Sequence, residues 1–245
     1  MMTTKTTICS ALFAAVLGAP ALAGACSDLT FEGASFTVCE ARVADDLRLW
    51  LNDGTGALIG TPERLQAAIP EGQRLIFAMN AGMYHPDRRP VGLYVEGGAE
   101  GHSIVTTEGP GNFGLLPNGV FCIGDTLAVI ESRAFAANPP ACHYATQSGP
   151  MLVIGGALHP KFRADSTSVN IRNGVGVSAD GQNAWFAISN EPVTFHHFAR
   201  LFRDELALPD ALFLDGAISR LIVPETGRAD IGLPMGPIVG VVAPE

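Results

Sequence analysis

The chain has 245 residues, of which 47% are apolar and 16% charged, and its formal net charge is −9. This composition excludes a disordered chain, and its length suits one domain with a substantial core. An acidic balance without clustered Lys and Arg argues against a nucleic-acid partner.

The N-terminus reads as an export signal. Lys5 precedes an apolar run at 8–17, and Pro20-Ala21-Leu22-Ala23 places small residues where a signal peptidase cuts. Cleavage after Ala23 leaves a mature domain at 24–245, periplasmic or secreted. The run is shorter than the roughly 20 apolar residues a membrane span needs. No later segment is long and apolar enough, so no transmembrane segment is expected in the mature chain. Four cysteines remain after cleavage: Cys26, Cys39, Cys122 and Cys142. An even number in an oxidising compartment predicts two disulfides, with three pairings open. Neighbours in sequence are the economical expectation, Cys26 with Cys39 and Cys122 with Cys142.

Strands are predicted at 36–42 and 47–51. Thr61-Pro62 reads as an N-cap with proline at the first helical position, opening a helix to residue 69. The apolar run 75–79 predicts a buried strand, and 91–96 another. Residues 119–123 and 126–130 flank Gly124-Asp125 as a tight hairpin. Strands follow at 151–154, 175–178 and 184–189. Phe195, Phe198, Ala199, Phe202 and Leu206 recur at helical spacing, predicting an amphipathic helix over 194–206. Short strands at 212–214 and 238–242 end the chain. Hairpins with few helices predict a single-domain α+β fold built mainly on antiparallel sheet.

Four segments set polar residues among glycines at strand ends. They are Asn80-Ala81-Gly82-Met83-Tyr84, Ala145-Thr146-Gln147-Ser148-Gly149-Pro150, Arg172-Asn173-Gly174-Val175-Gly176 and Leu214-Asp215-Gly216-Ala217-Ile218-Ser219. Glycine lets backbone approach a ligand and exposes amide N–H groups to an anion. Arginine forks onto phosphate, and an aspartate delivered by an apolar strand suits acid, base or nucleophile. Each segment alone reads first as a turn; the signal is their combination.

These segments, with Pro90-Val91-Gly92-Leu93-Tyr94, Asn112-Phe113-Gly114 and Pro117-Asn118-Gly119-Val120-Phe121, occur in an order that resembles the phosphodiester glycosidase family. The resemblance runs from about residue 75 to the C-terminus. Many members carry Asp-Gly-Gly-x-Ser where this chain has Ala217. The resemblance implies hydrolysis of a sugar C1–O bond whose leaving group is a phosphate ester. It also implies a carbohydrate or sugar-phosphate partner, in cell-envelope or exopolysaccharide metabolism, with no cofactor. Phosphate leaves readily, so one carboxylate with an anion clamp suffices where ordinary glycosidases use two carboxylates. On this basis Asp215 is the expected base or nucleophile and Arg172 the phosphate ligand. Asn80, Ser148 and Ser219 are expected to hold substrate oxygens, and Asn173, Gln147, Gly82, Gly149 and Gly216 to complete the binding site. Asp165, Glu96 and Glu191 are the candidates for a second carboxylate.

Other chemistries fit less well. Ser148 with His143 and Asp215 lacks the G-x-S-x-G elbow of a serine hydrolase. His196-His197 point about 100° apart on a helix and no H-E-x-x-H is present, so no metal is expected. The alternative to an enzyme is a non-catalytic exported module that binds an envelope glycan.

Overall fold

The computed structural model describes residues 26–215 and 218–245; the expected export signal, 1–23, lies outside them. The described strands form three sheets, all of whose pairings are antiparallel. The largest runs in the order β1 (Cys26–Phe31), β2 (Ala34–Arg42), β13 (Asn183–Ser189), β12 (Asn173–Val177), β14 (Asp210–Phe213), β10 (Met151–Ile154) and β11 (Ala157–Leu158). A second runs β16 (Arg228–Ala229), β15 (Leu221–Val223), β4 (Gln73–Asn80), β17 (Ile238–Pro244) and β3 (Asp46–Trp50). The third runs β6 (Ala99–His102), β5 (Tyr94–Glu96), β9 (Tyr144–Ser148), β7 (Gly119–Ile123) and β8 (Leu127–Glu131). Three short α-helices, α1 (Pro62–Ala68), α2 (Ser132–Ala137) and α3 (Phe195–Arg200), complete the α+β fold expected from the hairpin pattern.

One core joins the three sheets. Phe186 of β13 packs against Phe77 of β4 at 5.3 Å and against Phe121 of β7 at 5.6 Å between ring centroids, so each sheet contributes one ring. Such tilted and edge-on pairs add favourable quadrupole contacts to the burial. The largest sheet is apolar on its other face too, where Phe198 and Phe202 cover Phe36, Leu152 and Phe213. Leu65 of α1 closes the outer face of the β4 sheet with Ala78, Ile222 and Ile238.

Several elements depart from the expected pattern. The predicted helix over 194–206 is α only as far as Arg200; Leu201–Glu205 is a π-helical turn, with Leu206 N–H donating to Leu201 O at 3.0 Å. Leu201 and Phe202 on this turn are both buried. Of the predicted strand 91–96, only Tyr94–Glu96 is one, because Val91 N–H bonds back to Met83 O at 2.9 Å. The polar segment 145–150, read as a turn or binding loop, is mostly β9, an interior strand between β5 and β7. Its Thr146, Gln147 and Ser148 are buried polar residues, a pattern that hydrophobic periodicity does not register. Strands β1, β6, β15 and β16 and helix α2 also went unread.

The disulfides pair as expected. Cys26–Cys39 ties directly opposed residues of β1 and β2, and Cys122–Cys142 ties β7 to the segment entering β9.

Candidate active site

Strand ends from all three sheets meet at one place. β4 ends at Asn80, β12 begins at Asn173, β9 ends at Ser148, and the chain leaving β14 reaches Asp215 one residue after Leu214 N–H bonds Asn173 O at 3.1 Å. An apolar core delivers each of these polar residues, so each must find its partners among the others.

They do so through two amides. Asn173 Oδ1 accepts from Asn80 Nδ2 at 3.2 Å, from Asp215 N–H at 3.3 Å and from Ser219 Oγ at 3.3 Å. Asn173 Nδ2 donates to Asn80 O at 2.9 Å. Asn80 Oδ1 accepts from Arg220 N–H at 2.8 Å. Ser148 Oγ donates to Leu214 O. Asn80, Asn173 and Ser148 are fully buried. Their joint effect is to hold the backbone of 214–215 and 219–220, and with it Asp215, Ser219 and Arg220. Asp215 is 6% exposed and Arg220 6%. Gly216 and Ala217 lie outside the described residues.

Beside this network opens a cleft of about 750 Å3, lined among others by Ser189, Asn190, Ile218, Ser219, Arg220, Arg228 and Asp230. Asp215 is not among its described walls; Ser219 Oγ, 3.4 Å from Asp215 O, links the two. Arg228 forks onto Asp230 at 3.0 and 3.1 Å and reaches Asn190 Oδ1 at 3.0 Å. Asp230 also accepts from Leu221 N–H at 2.9 Å, which anchors the pair to β15. The Arg220 guanidinium packs on Gly232, where a Cβ would stand 3.0 Å from Arg220 Cζ. No carboxylate lies within ion-pair distance of it among the described residues. Burial pulls its pKa below the usual guanidinium value, against the opposing influence of Tyr84 and Asp230.

Tyr84 completes the cluster. Its ring packs on Gly236 and its hydroxyl donates to Pro234 O at 3.4 Å. Burial, and then the charge of Asp215, push its pKa up to about 12, while Arg88 and Arg220 pull the other way. At neutral pH its hydroxyl is therefore protonated.

The remaining expected residues sit elsewhere or do other work. Arg172 is 1% exposed. Its Nε donates to Val193 O at 2.8 Å and its Nη2 to Ser168 O at 3.2 Å, with the guanidinium 3.6 Å from the centroid of the Phe195 ring. Burial lowers its pKa to about 10. Its charge is thus turned into the protein, under α3, rather than into the cleft. Gln147 spends its amide inside the third sheet, accepting from Leu93 and Val105 N–H, each at 3.0 Å, and donating to Ser132 Oγ at 2.7 Å. Gly82 and Gly149 are close-packing positions: a Cβ at Gly82 would strike Thr146 Oγ1 and Gln147 O, and one at Gly149 would stand 2.6 Å from Asn118 Cβ. Of the three alternative carboxylates, Asp165 pairs with exposed Arg163, Glu96 accepts from Tyr94 on β5, and Glu191 accepts from Ser35 N–H. None of them lines the cleft. Among the described lining residues the carboxylate is Asp230 and the arginine without an ion pair is Arg220; sequence reading singled out neither. The available signals were that Arg220 directly follows the Asp215 to Ser219 motif and that Arg228 and Asp230 are spaced to share one face of a strand.

Residues 73–233 match a family model described as phosphodiester glycosidase. The uncharacterized protein YigE of Escherichia coli strain K12 is 32% identical over 214 residues, 86% of this chain and 84% of that one. The chain belongs to the phosphodiester glycosidase family. Its fold resembles that of the zebrafish N-acetylglucosamine-1-phosphodiester α-N-acetylglucosaminidase catalytic domain, solved in a form auto-inhibited by its pro-peptide. That match has a TM-score of 0.61 at 13% identity and covers 88% of this chain and 81% of that one. A protein of Burkholderia pseudomallei K96243 described as exported matches with a TM-score of 0.54 at 11% identity, over 85% of this chain and 74% of that one. At these identities the two structures establish likeness of fold for this family member. Its two disulfides fit an exported protein, and among the described residues no helix is long and apolar enough to cross a membrane.

Proposed function

We propose that the protein is a hydrolase that cleaves the sugar C1–O bond of a sugar-1-phosphodiester in the cell envelope or outside the cell. The observation that carries this reading is the convergence of Asn80, Asn173 and Ser148 on the backbone that holds Asp215, Ser219 and Arg220 beside an arginine-lined cleft. Family membership supports it. The substrate phosphodiester is a monoanion, and among the described residues Arg220 is the cleft arginine with no carboxylate partner, so Arg220 takes the place first given to Arg172. Water adds its oxygen to C1 while the C1–O bond breaks, its electron pair leaving on the phosphate oxygen. Asp215 accepts the water proton as base; if it attacks C1 first as nucleophile, water then releases the sugar from the same carboxylate. Either route yields a free sugar and a phosphate monoester. Asn80 and Asn173 act through the backbone they hold, and Ser219 faces the substrate.

The test is a product screen of the purified protein on several sugar-1-phosphodiesters, followed by Asp215→Asn. Asparagine keeps the shape but has no basic or nucleophilic carboxylate. Kcat is expected to fall by about 10²–10⁴, with little change in Tm. Near-normal turnover by this variant removes Asp215 from the mechanism. Saturable binding of every substrate without product supports instead a glycan-binding module.

A further inference from the structure

The polar cleft has an apolar rim. Of the four exposed large apolar side chains among the described residues, Ile231 (95% exposed) and Leu233 (69%) line this cleft, and a third, Val169 (51%), directly precedes its lining residue Asn170. Ile171, Ile188 and Ile218 line the same cleft as Ser219 and Arg220. Large apolar groups left in water and gathered at one cleft mark a surface for a ligand with an apolar part. The covered volume, about 750 Å3, is in the range of sites that enclose a whole small-molecule ligand. The cation and the apolar rim are continuous in one hollow, so one ligand meets both.

We infer that the alcohol esterified to the substrate phosphate is an apolar chain, of the alkyl or isoprenyl class, and that Ile231 and Leu233 hold it while Arg220 holds the phosphate. This inference deepens the proposed hydrolysis and rests on that reading for the sugar side only. The chain runs outward from the phosphate along Ile218 to the 231–233 segment. The sugar then occupies the side of the phosphate nearer Ser219 and Asp215. Both products follow: the sugar leaves with a hydroxyl at C1, and the apolar alcohol keeps its phosphate as a monoester.

Binding separates the two claims. Methyl phosphate and octyl phosphate, the latter below its micelle concentration, are titrated calorimetrically into the purified protein. Each buried methylene is worth about fourfold in affinity, so octyl phosphate is expected to bind at least ~10-fold more tightly even with only part of the chain covered. The double variant Ile231→Ser with Leu233→Ser should bring the two affinities to within about twofold of each other. These side chains are largely exposed, so the variant keeps its fold, and unchanged far-ultraviolet circular dichroism checks this. Equal binding of the two phosphates by the wild type overturns the inference, as does an octyl preference that survives in the variant. A dimer that dissociates in the variant, with equal binding of the two phosphates, assigns the patch to a second copy of the chain and also overturns it. An octyl preference lost in the variant, with no sugar phosphodiester turned over, upholds the apolar site and removes the proposed hydrolysis instead.

Discussion

Two arginines, both buried, show how partners divide residues of one type between structure and chemistry. Arg172 lies under Phe195 with its nitrogens on backbone carbonyls, whereas Arg220 lines the cleft with no carboxylate within ion-pair distance among the described residues. Lysine at either position keeps the charge but loses the planar fork. Arg172→Lys is expected to lower stability by roughly 1–3 kcal/mol, through the lost ring stacking and carbonyl bonds, and urea denaturation measures it. Arg220→Lys should instead lower kcat/KM by about 10-fold or more, mainly through KM, since it removes a bidentate anion contact. The opposite pattern, with Arg220→Lys unfolding the protein and Arg172→Lys raising KM, would return the anion site to Arg172.

The element built on Thr194 illustrates a second balance. Thr194 Oγ1 accepts from His197 N–H at 3.1 Å as the N-cap of α3. At the far end, Arg200 and Arg203 both bind Asp204, at 2.8 and 2.6 Å, across the passage from α to π geometry. Arg203 and then Arg200 hold the Asp204 carboxyl down at about 2. A carboxyl whose folded pKa is depressed stabilises the fold above its unfolded value of about 3.9, and that contribution is lost as pH falls through the folded value. Asp204→Asn should therefore cost up to ~1 kcal/mol at neutral pH, the scale of partly exposed pairs. The difference from wild type should close between about pH 4 and pH 2, as thermal melts across that range would record. A difference that persists unchanged at pH 2 would mean that Asp204 acts through packing or capping and not through its charge.

The whole molecule carries three tyrosines, Tyr84, Tyr94 and Tyr144, and burial raises the pKa of each. The folded protein should consequently show much less tyrosinate absorbance near pH 10 than the denatured chain, which is about half ionised there. Raised folded values stabilise the fold fully below the unfolded pKa, and that stability is lost as pH rises through the folded values. Alkaline unfolding with a late, steep tyrosinate signal is the expected record; a normal titration in protein still folded by circular dichroism would contradict the burial. The disulfides act at the same scale. A loop of about 15 residues closed by a disulfide is worth roughly 3 kcal/mol in the chain-entropy account. The Cys26–Cys39 and Cys122–Cys142 separations are 13 and 20 residues, so reduction should lower Tm clearly.

Local features of the sequence determined a good deal. The apolar run ending at Asn80, the hairpin at Gly124-Asp125 and the N-cap at Thr61 are set by nearest neighbours, and the structure has them; the expected cysteine pairs are there too. Asn80, Asn173, Ser148, Asp215 and Ser219 were likewise visible as polar residues at strand ends, and these strand ends do converge. Tertiary structure alone decided which charges face a ligand. Arg172 and Arg220 look alike along the chain; the cover of Phe195 and α3 over one, and the cleft before the other, arise from segments far apart in sequence. The same holds for β9, whose Thr146, Gln147 and Ser148 are buried only because two strands and a distant backbone meet their hydrogen bonds. Periodicity reports which side chains avoid water, whereas a buried polar residue depends on partners that only the completed fold supplies.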